Sequence, residues 1–138
     1  MQLKDDLLQC PMFSGVTDED LKFLAGVIRQ RVCEKGELLF SEGDAAAGFY
    51  VLAEGRVKVY KLSPDGKERI LHIVQPGTSF AEAAIFGDGH YPAYAEPLQK
   101  SRLLFFPKRE FLDLLHNKSQ IAINMIGCLS RFLRQFAT

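Results

Sequence analysis

The most informative stretch of the sequence reads FAEAAIF at residues 80–86, with Gly77 before it and GDG at residues 87–89 after it. Helix-forming residues enclosed by glycines predict one short helical turn that carries a single carboxylate, Glu82. The first N–H groups of a helix have no intrahelical acceptor and can therefore face an anion. We expect this turn to border a ligand pocket, with contacts from Ala81, Glu82, Ala83 and Ala84.

The gross composition describes one domain with little electrostatic bias. The chain has 138 residues, of which 47% are hydrophobic, and this is enough for a proper core. Its 17 basic residues balance 17 acidic ones, which argues against direct binding to nucleic acid. No apolar run approaches the ~20 residues that span a bilayer, and the N-terminus MQLKDD lacks the apolar region of a signal peptide. We expect a cytoplasmic protein without a membrane partner.

The cysteines and histidines do not form a pattern typical of metal binding or catalysis. Cys10, Cys33 and Cys128 are widely spaced, which favours buried structural thiols over disulfides, zinc sites or iron–sulfur clusters. The histidines stand at positions 72, 90 and 116, none within four residues of another, whereas a metal-dependent jelly-roll enzyme needs clustered ligands. We expect no metal, no catalytic residues and no enzymatic activity.

Short strands separated by glycines are predicted between residues 32 and 107. Turn signals recur at intervals typical of an all-β roll, sandwich or barrel. The clearest hairpin joins residues 56–60 to residues 69–74 through Pro64, Asp65 and Gly66, because proline presets one turn angle and glycine tolerates a positive φ. The sequence therefore predicts a mainly β fold.

Helices are predicted on both sides of this β region, over residues 1–31 and 108–138. Thr17 begins a capping signature with acidic residues behind it. The last helix carries apolar residues at an a/d spacing, widened by Ile126 and Leu133. That pattern predicts a homodimer, although a buried terminal helix would also explain it. The predicted dimer positions are Ala122, Met125, Leu129, Phe132 and Phe136.

Four segments in order give the chain a family resemblance. They are PMFSGV at residues 11–16, GELLFSEGD at 36–44, FYVLAEGRVKVY at 49–60, and the run from Gly77 to Phe86. Together with the last helix, they resemble the cyclic-nucleotide-binding domain, and more closely the sensor half of the cAMP receptor protein / fumarate-nitrate regulator (Crp/Fnr) family. The resemblance implies an antiparallel β-roll (a double-stranded β-helix or jelly roll), N-terminal helices and a long C-terminal helix.

The resemblance also implies a function. In that family the sensor half precedes a winged helix-turn-helix that reads DNA, and the chain ends before such a unit. We therefore expect a regulatory domain that couples a small-molecule effector to a dimerisation helix, and no direct binding to nucleic acid. The resemblance makes residues 77–94 the phosphate-binding cassette, with Glu82 at the position of the family's ribose carboxylate.

The identity of the effector stays open. The family's phosphate-pairing arginine and its hydroxyl neighbour belong within residues 89–94, so Tyr91, Pro92 and Ala93 are expected to contact the ligand, yet none is cationic. A cyclic nucleotide and another small effector are both candidates, and the cofactor is undetermined. A haem-based gas or redox sensor is one alternative, with His90 as the iron ligand. The other is an interaction module whose pocket is vestigial.

Overall fold

The computed structural model of the protein describes residues 2–136. These residues form five α-helices, two before the strands, one between β-strands and two after them, and a short 3-10 turn at Pro11–Phe13 separates the first two. The helices are α1 (Gln2–Leu8), α2 (Asp18–Ala25), α3 (Glu82–Phe86), α4 (Lys108–Asn117) and α5 (Ser119–Arg134). The predicted last helix extended to residue 138, of which residues 137 and 138 lie outside the described part.

Seven antiparallel strands within residues 2–136 form two sheets, one with the order β1-β7-β2-β5 and one with the order β4-β3-β6. The strands are β1 (Arg29–Cys33), β2 (Gly48–Glu54), β3 (Val57–Leu62), β4 (Glu68–Val74), β5 (Ser79–Phe80), β6 (Tyr94–Pro97) and β7 (Ser101–Pro107). This arrangement confirms the predicted β-roll with flanking helices. The predicted hairpin is also present, since β3 pairs with β4 and places Val59 opposite His72.

A side-chain hydrogen bond fixes where α2 begins. The Thr17 hydroxyl accepts a hydrogen bond of 3.0 Å from the Asp20 N–H, and α2 begins directly after it. This geometry confirms the predicted cap. α2 ends at Ala25, and β1 begins at Arg29. The strand region therefore starts three residues before the predicted boundary at residue 32, because pairing with β7 draws residues 29–31 into the sheet.

The 3-10 turn and α4 pack on an aromatic cluster of the larger sheet. Phe106 stacks on Phe49 with a centroid distance of 4.4 Å and on Phe13 with one of 5.3 Å. Phe111 of α4 meets Phe106 edge-on at 5.4 Å. These rings are fully buried, and aromatic pairs add to the hydrophobic stabilisation of such a core. The cluster fixes α4 against the strands, and α5 follows one residue later.

A nearly buried ion pair fastens α1 to the β-roll. Arg102 of β7 binds both carboxylate oxygens of Asp6, at 2.7 and 3.1 Å, and also reaches Glu54 at 2.8 Å. The Asp6 partner holds the pKa of the Arg102 guanidinium above its usual range. Such a bidentate pair fixes geometry as well as charge.

No helix among residues 2–136 combines the length and the apolar character that crossing a membrane requires.

Candidate functional site

A cavity of about 180 Å³ opens between the smaller sheet and α3. β3 and β4 form one wall, β5 and α3 form another, and the segment before β6 closes it. Most of the lining side chains are apolar. The cavity is lined by Phe40, Val59, Leu71, His72, Ser79, Phe80, Ala81, Glu82, Ala83, Pro92 and Ala93.

Glu82 is the one carboxylate in this lining, and its Oε2 atom is buried without a hydrogen-bond partner among the described residues. A buried polar atom that loses its hydrogen bonds to water costs about 1–3 kcal/mol. Glu82 also lines a second, apolar groove beneath α5. The same side chain therefore separates the β-roll cavity from the C-terminal helix.

The backbone is strained where α3 begins. Ala81 has φ 68° and ψ 11°, the left-handed region that favours glycine, and it is the one non-glycine residue with positive φ in the described part of the chain. An L-residue in this conformation costs roughly 1–2 kcal/mol. Strain of this kind persists where the surrounding structure imposes it, often beside a functional site. The strained residue lines the cavity.

Five of the seven predicted cassette residues line the cavity, namely Ala81, Glu82, Ala83, Pro92 and Ala93. Ala84 does not, because its side chain is buried in the core and its N–H donates to the Ala81 carbonyl at 3.2 Å. The Ala84 N–H group is therefore not available to a ligand, and the predicted ligand-facing N–H groups are reduced to those of residues 81–83. The remaining residues agree with a pocket at the start of α3.

Tyr91 is a structural residue, which corrects its predicted position in the site. Its hydroxyl donates to the Gly48 carbonyl at 2.7 Å and accepts from the Gly48 N–H at 3.2 Å. Its ring is buried and stacks on Phe40 with centroids 3.9 Å apart. Burial raises the pKa of the Tyr91 hydroxyl. Both ends of this side chain are thus engaged by the protein itself.

The histidines are distributed differently from the prediction. His90 is exposed, its ring Nδ1 lies 3.2 Å from the Asp88 carbonyl oxygen, and it does not line the cavity. This placement does not fit the predicted role of His90 as a haem ligand. His72 of β4 is also exposed, but it lines the cavity. Among the described residues that line the cavity there is no lysine or arginine, so the cation missing from the cassette is not supplied from elsewhere in the fold.

The sequence did not indicate Phe40, Val59 and Leu71 as site residues. Val59 and His72 face each other across the β3–β4 ladder, so the predicted hairpin contained a usable signal. Strand alternation could have placed them on a shared face. Phe40 lies in an irregular segment before β2, and no local pattern connects it to α3.

The second cavity is the groove beneath α5, with a volume of about 310 Å³ and an almost wholly apolar lining. It is lined by Met12, Glu82, Phe86, Leu115, Ala122, Met125, Ile126 and Leu129. Three predicted dimer residues, Ala122, Met125 and Leu129, thus lie beside the same carboxylate that borders the first cavity.

The exposed apolar face of α5 is rotated from the predicted a/d row. Met125 is only 7% exposed and belongs to the core, and Phe132 is half-buried. Ile126 and Leu133 are 63% and 64% exposed, and Phe136, just beyond the helix end, is 70% exposed. Positions 122, 126, 129, 133 and 136 follow the helical repeat and share one side. We refer to Ala122, Ile126, Leu129, Leu133 and Phe136 as the α5 stripe.

The cysteines have the predicted structural character. Cys10, Cys33 and Cys128 are all buried and free. Burial raises the pKa of the Cys10 and Cys33 thiols, and the nearby Glu82 carboxylate adds to the effect on Cys10. Within residues 2–136, no three His, Cys, Asp or Glu side chains are grouped closely enough to hold a metal ion.

The sequence matches the family model described as "Cyclic nucleotide-binding domain" over residues 30–118, which contain the cavity and all of both sheets except Arg29. The chain therefore belongs to the cyclic nucleotide-binding domain family, and its relatives place it with the sensor domains of Crp/Fnr-type regulators. It is 27% identical over 125 residues to the "Cyclic AMP receptor protein" of Thermus thermophilus, an alignment that covers 91% of this chain and 58% of that protein.

Two solved structures of similar extent share the fold. The N-terminal domain of a transcriptional regulator from Streptomyces coelicolor superposes with a TM-score of 0.81 at 29% identity, covering 96% of this chain and 93% of the other. The sensor domain of the transcriptional regulator DNR from Pseudomonas aeruginosa gives a TM-score of 0.77 at 29% identity, covering 99% and 95%. The chain thus spans a little over half of the Thermus relative, but nearly all of these isolated domains.

Proposed function

We propose that this chain is a regulatory sensor domain, not an enzyme, in which an effector in the β-roll cavity controls self-association through α5. The supporting observation is the position of Glu82. This residue lines both the cavity and the groove beneath α5, and one of its carboxylate oxygens has no partner among the described residues. A ligand that engages Glu82 would change the packing of the groove that holds Ala122 and Leu129.

The proposed readout is a homodimer formed through the α5 stripe. Three large apolar side chains of the stripe are more than half exposed, namely Ile126, Leu133 and Phe136. Burying them against a protein partner would remove their apolar surface from water. A second copy of the chain presents the same stripe, so two copies can satisfy each other symmetrically. The effector acts only as far as it binds one arrangement of α5 more tightly than the other.

The proposal extends to the longer proteins that this family contains. Two of the relatives are named as transcriptional regulators, and the chain covers about half of their length. We propose that the natural protein couples this domain to a DNA-reading unit and that residues 1–138 do not contact nucleic acid directly. The balanced charge of the domain agrees with this division of roles.

Sedimentation velocity with and without millimolar cAMP, cGMP, adenosine or guanosine tests the proposal. We expect at least one ligand to change the dimer dissociation constant, with titration calorimetry confirming that it binds. Binding that leaves self-association unchanged would contradict the coupling. An absorbance spectrum of the purified protein serves as the control for haem: a Soret band would assign the site to a haem-based sensor.

The second candidate is an interaction module whose cavity no longer responds to a ligand. It is favoured by the missing cation in the cavity and by the use of Tyr91 as a structural residue. In that case substitutions in the α5 stripe would abolish self-association, whereas none of the four ligands would bind or change it. The same sedimentation experiment separates the two candidates.

A further inference from the structure

The walls of the β-roll cavity have a chemistry that restricts its ligand. Eight of the eleven lining residues are apolar, including Phe40, Leu71 and Phe80. The polar side chains are those of His72, Ser79 and Glu82. Such a lining resembles that of small-molecule sites, where apolar surfaces hold a ring system and a few polar groups orient it.

A phosphate is poorly matched to this lining. None of the described residues that line the cavity is a lysine or arginine, while Glu82 brings a carboxylate. Like charges in a partly desolvated site repel each other, and no cation is present to compensate. The positions nearest the expected cation are Pro92 and Ala93, which contribute only apolar surface.

A ligand that carries a hydrogen-bond donor is well matched to the cavity lining. The Oε2 atom of Glu82 is buried and has no partner among residues 2–136. The Glu82 side chain lines the cavity, so a ligand hydroxyl or amino group that reaches its carboxylate on binding would satisfy it, and a site built around such a group rejects analogues that lack it. The cavity thus offers an acceptor for a donor and an apolar surface for a ring.

We infer that the cavity takes ligands of nucleoside chemistry, namely a neutral ring system that carries hydroxyl or amino donors, and that a phosphate adds no affinity. This inference rests on the proposed sensing function and narrows its effector. It departs from the chemistry that the name of the family states, because the cation for the phosphate is absent while the carboxylate is retained.

Titration calorimetry of the whole chain compares adenosine with cAMP and guanosine with cGMP. We expect the nucleoside of at least one pair to bind as tightly as its cyclic phosphate, within about threefold. A cyclic nucleotide that binds at least about tenfold more tightly than its nucleoside would overturn the inference and leave the sensing function intact.

The variant Glu82→Leu keeps the size of the side chain and removes the acceptor. We expect it to weaken nucleoside binding by about tenfold or more, because the ligand donor then lies unpaired in the cavity. Glu54→Gln is the matched control, since Glu54 is exposed and lies outside the lining. Unchanged nucleoside affinity in a folded Glu82→Leu variant would overturn the inference.

The double variant Pro92→Arg, Ala93→Ser separates this inference from the proposed function. It supplies a cation and a hydroxyl at two lining positions. We expect it to bind cAMP about tenfold or more tightly than the unmodified chain, with adenosine affinity unchanged. If the unmodified chain binds no nucleoside, the inference fails. The sensing function still stands if the unmodified chain binds cAMP or cGMP. It falls if the unmodified chain binds neither, and cAMP binding by the folded double variant then shows that the cavity itself is intact.

Discussion

The hydroxyl of Tyr91 forms two hydrogen bonds with the backbone of Gly48, donating to the carbonyl at 2.7 Å and accepting from the N–H at 3.2 Å. This contact joins the segment after α3 to the first residue of β2. Gly48 has no room for a side chain, since an added Cβ would lie 2.6 Å from the ring of Phe105. The Tyr91 side chain therefore holds the cassette against the larger sheet.

Replacing Tyr91 with phenylalanine should lower the free energy of unfolding by about 1–3 kcal/mol. The reason is that two buried backbone groups of Gly48 lose their partner while the ring packing is kept. Urea unfolding followed by circular dichroism measures the change. The control is Tyr94→Phe, because the Tyr94 ring stacks on Tyr60 at 5.4 Å and its hydroxyl has no hydrogen-bond partner within the described chain. Equal stability of the Tyr91→Phe variant and the unmodified protein would contradict this role.

Replacing Ala81 with glycine should stabilise the protein by about 0.5–1 kcal/mol. Glycine relieves the strain of the positive φ, and the gain exceeds the extra entropy that glycine loses on folding. Ala84→Gly is the opposite control: Ala84 has helical geometry and a buried methyl group, so the same replacement should destabilise by about 1 kcal/mol or more. Thermal unfolding of both variants tests the sign. A destabilised Ala81→Gly variant would show that the strain is not relieved.

Removing the guanidinium with Arg102→Leu should cost about 3 kcal/mol or more, because it leaves the Asp6 carboxylate nearly buried without a cation. The control is Glu54→Gln, which should cost less than about 1 kcal/mol, since the Glu54 side chain is 65% exposed. Chemical denaturation of both variants provides the comparison. Similar losses in the two variants would mean that α1 is not held by the Asp6 pair.

Alkaline pH should weaken the fold through Tyr50. Burial raises the pKa of this hydroxyl from its ordinary 10 to about 12, so the folded state favours the neutral form. The contribution of the neutral Tyr50 hydroxyl to the free energy of unfolding is therefore complete below pH 10, and it is lost as pH rises towards 12. Between about pH 8 and about pH 11.5, the unmodified protein should lose about 2 kcal/mol more than Tyr50→Phe, measured by urea unfolding. Parallel losses in the two proteins would contradict this assignment.

The α5 stripe should be required for self-association. Ile126→Lys places a charge in the stripe and should weaken the dimer about tenfold or more, without unfolding the domain, because the side chain is 63% exposed. Ile123→Lys is the matched control: this isoleucine is 57% exposed on the same helix, but it lies outside the stripe. Sedimentation equilibrium measures both. Equal effects of the two substitutions would show that the interface is elsewhere.

Local sequence chemistry determined the elements of this protein. The Thr17 hydroxyl caps α2, and the Pro-Asp-Gly turn joins β3 to β4, because capping and turn geometry depend on a few neighbouring residues. The stretch at residues 80–86 predicted a short helix, and α3 spans Glu82–Phe86 within it. These local features predicted a mainly β fold, and the resemblance of four segments to a known family narrowed that prediction to the β-roll.

Only the tertiary structure decided the roles of individual side chains. Tyr91 was predicted to contact ligand but binds Gly48, while His72 lines the cavity and His90 does not. Strand pairing across distant segments decides which side chains reach the same cavity, and sequence spacing does not contain that information. The face of α5 that remains exposed was decided in the same way, because the core takes Met125 and leaves Ile126 at the surface. The sequence alone thus determined the type of domain, and three-dimensional packing determined which residues form its cavity.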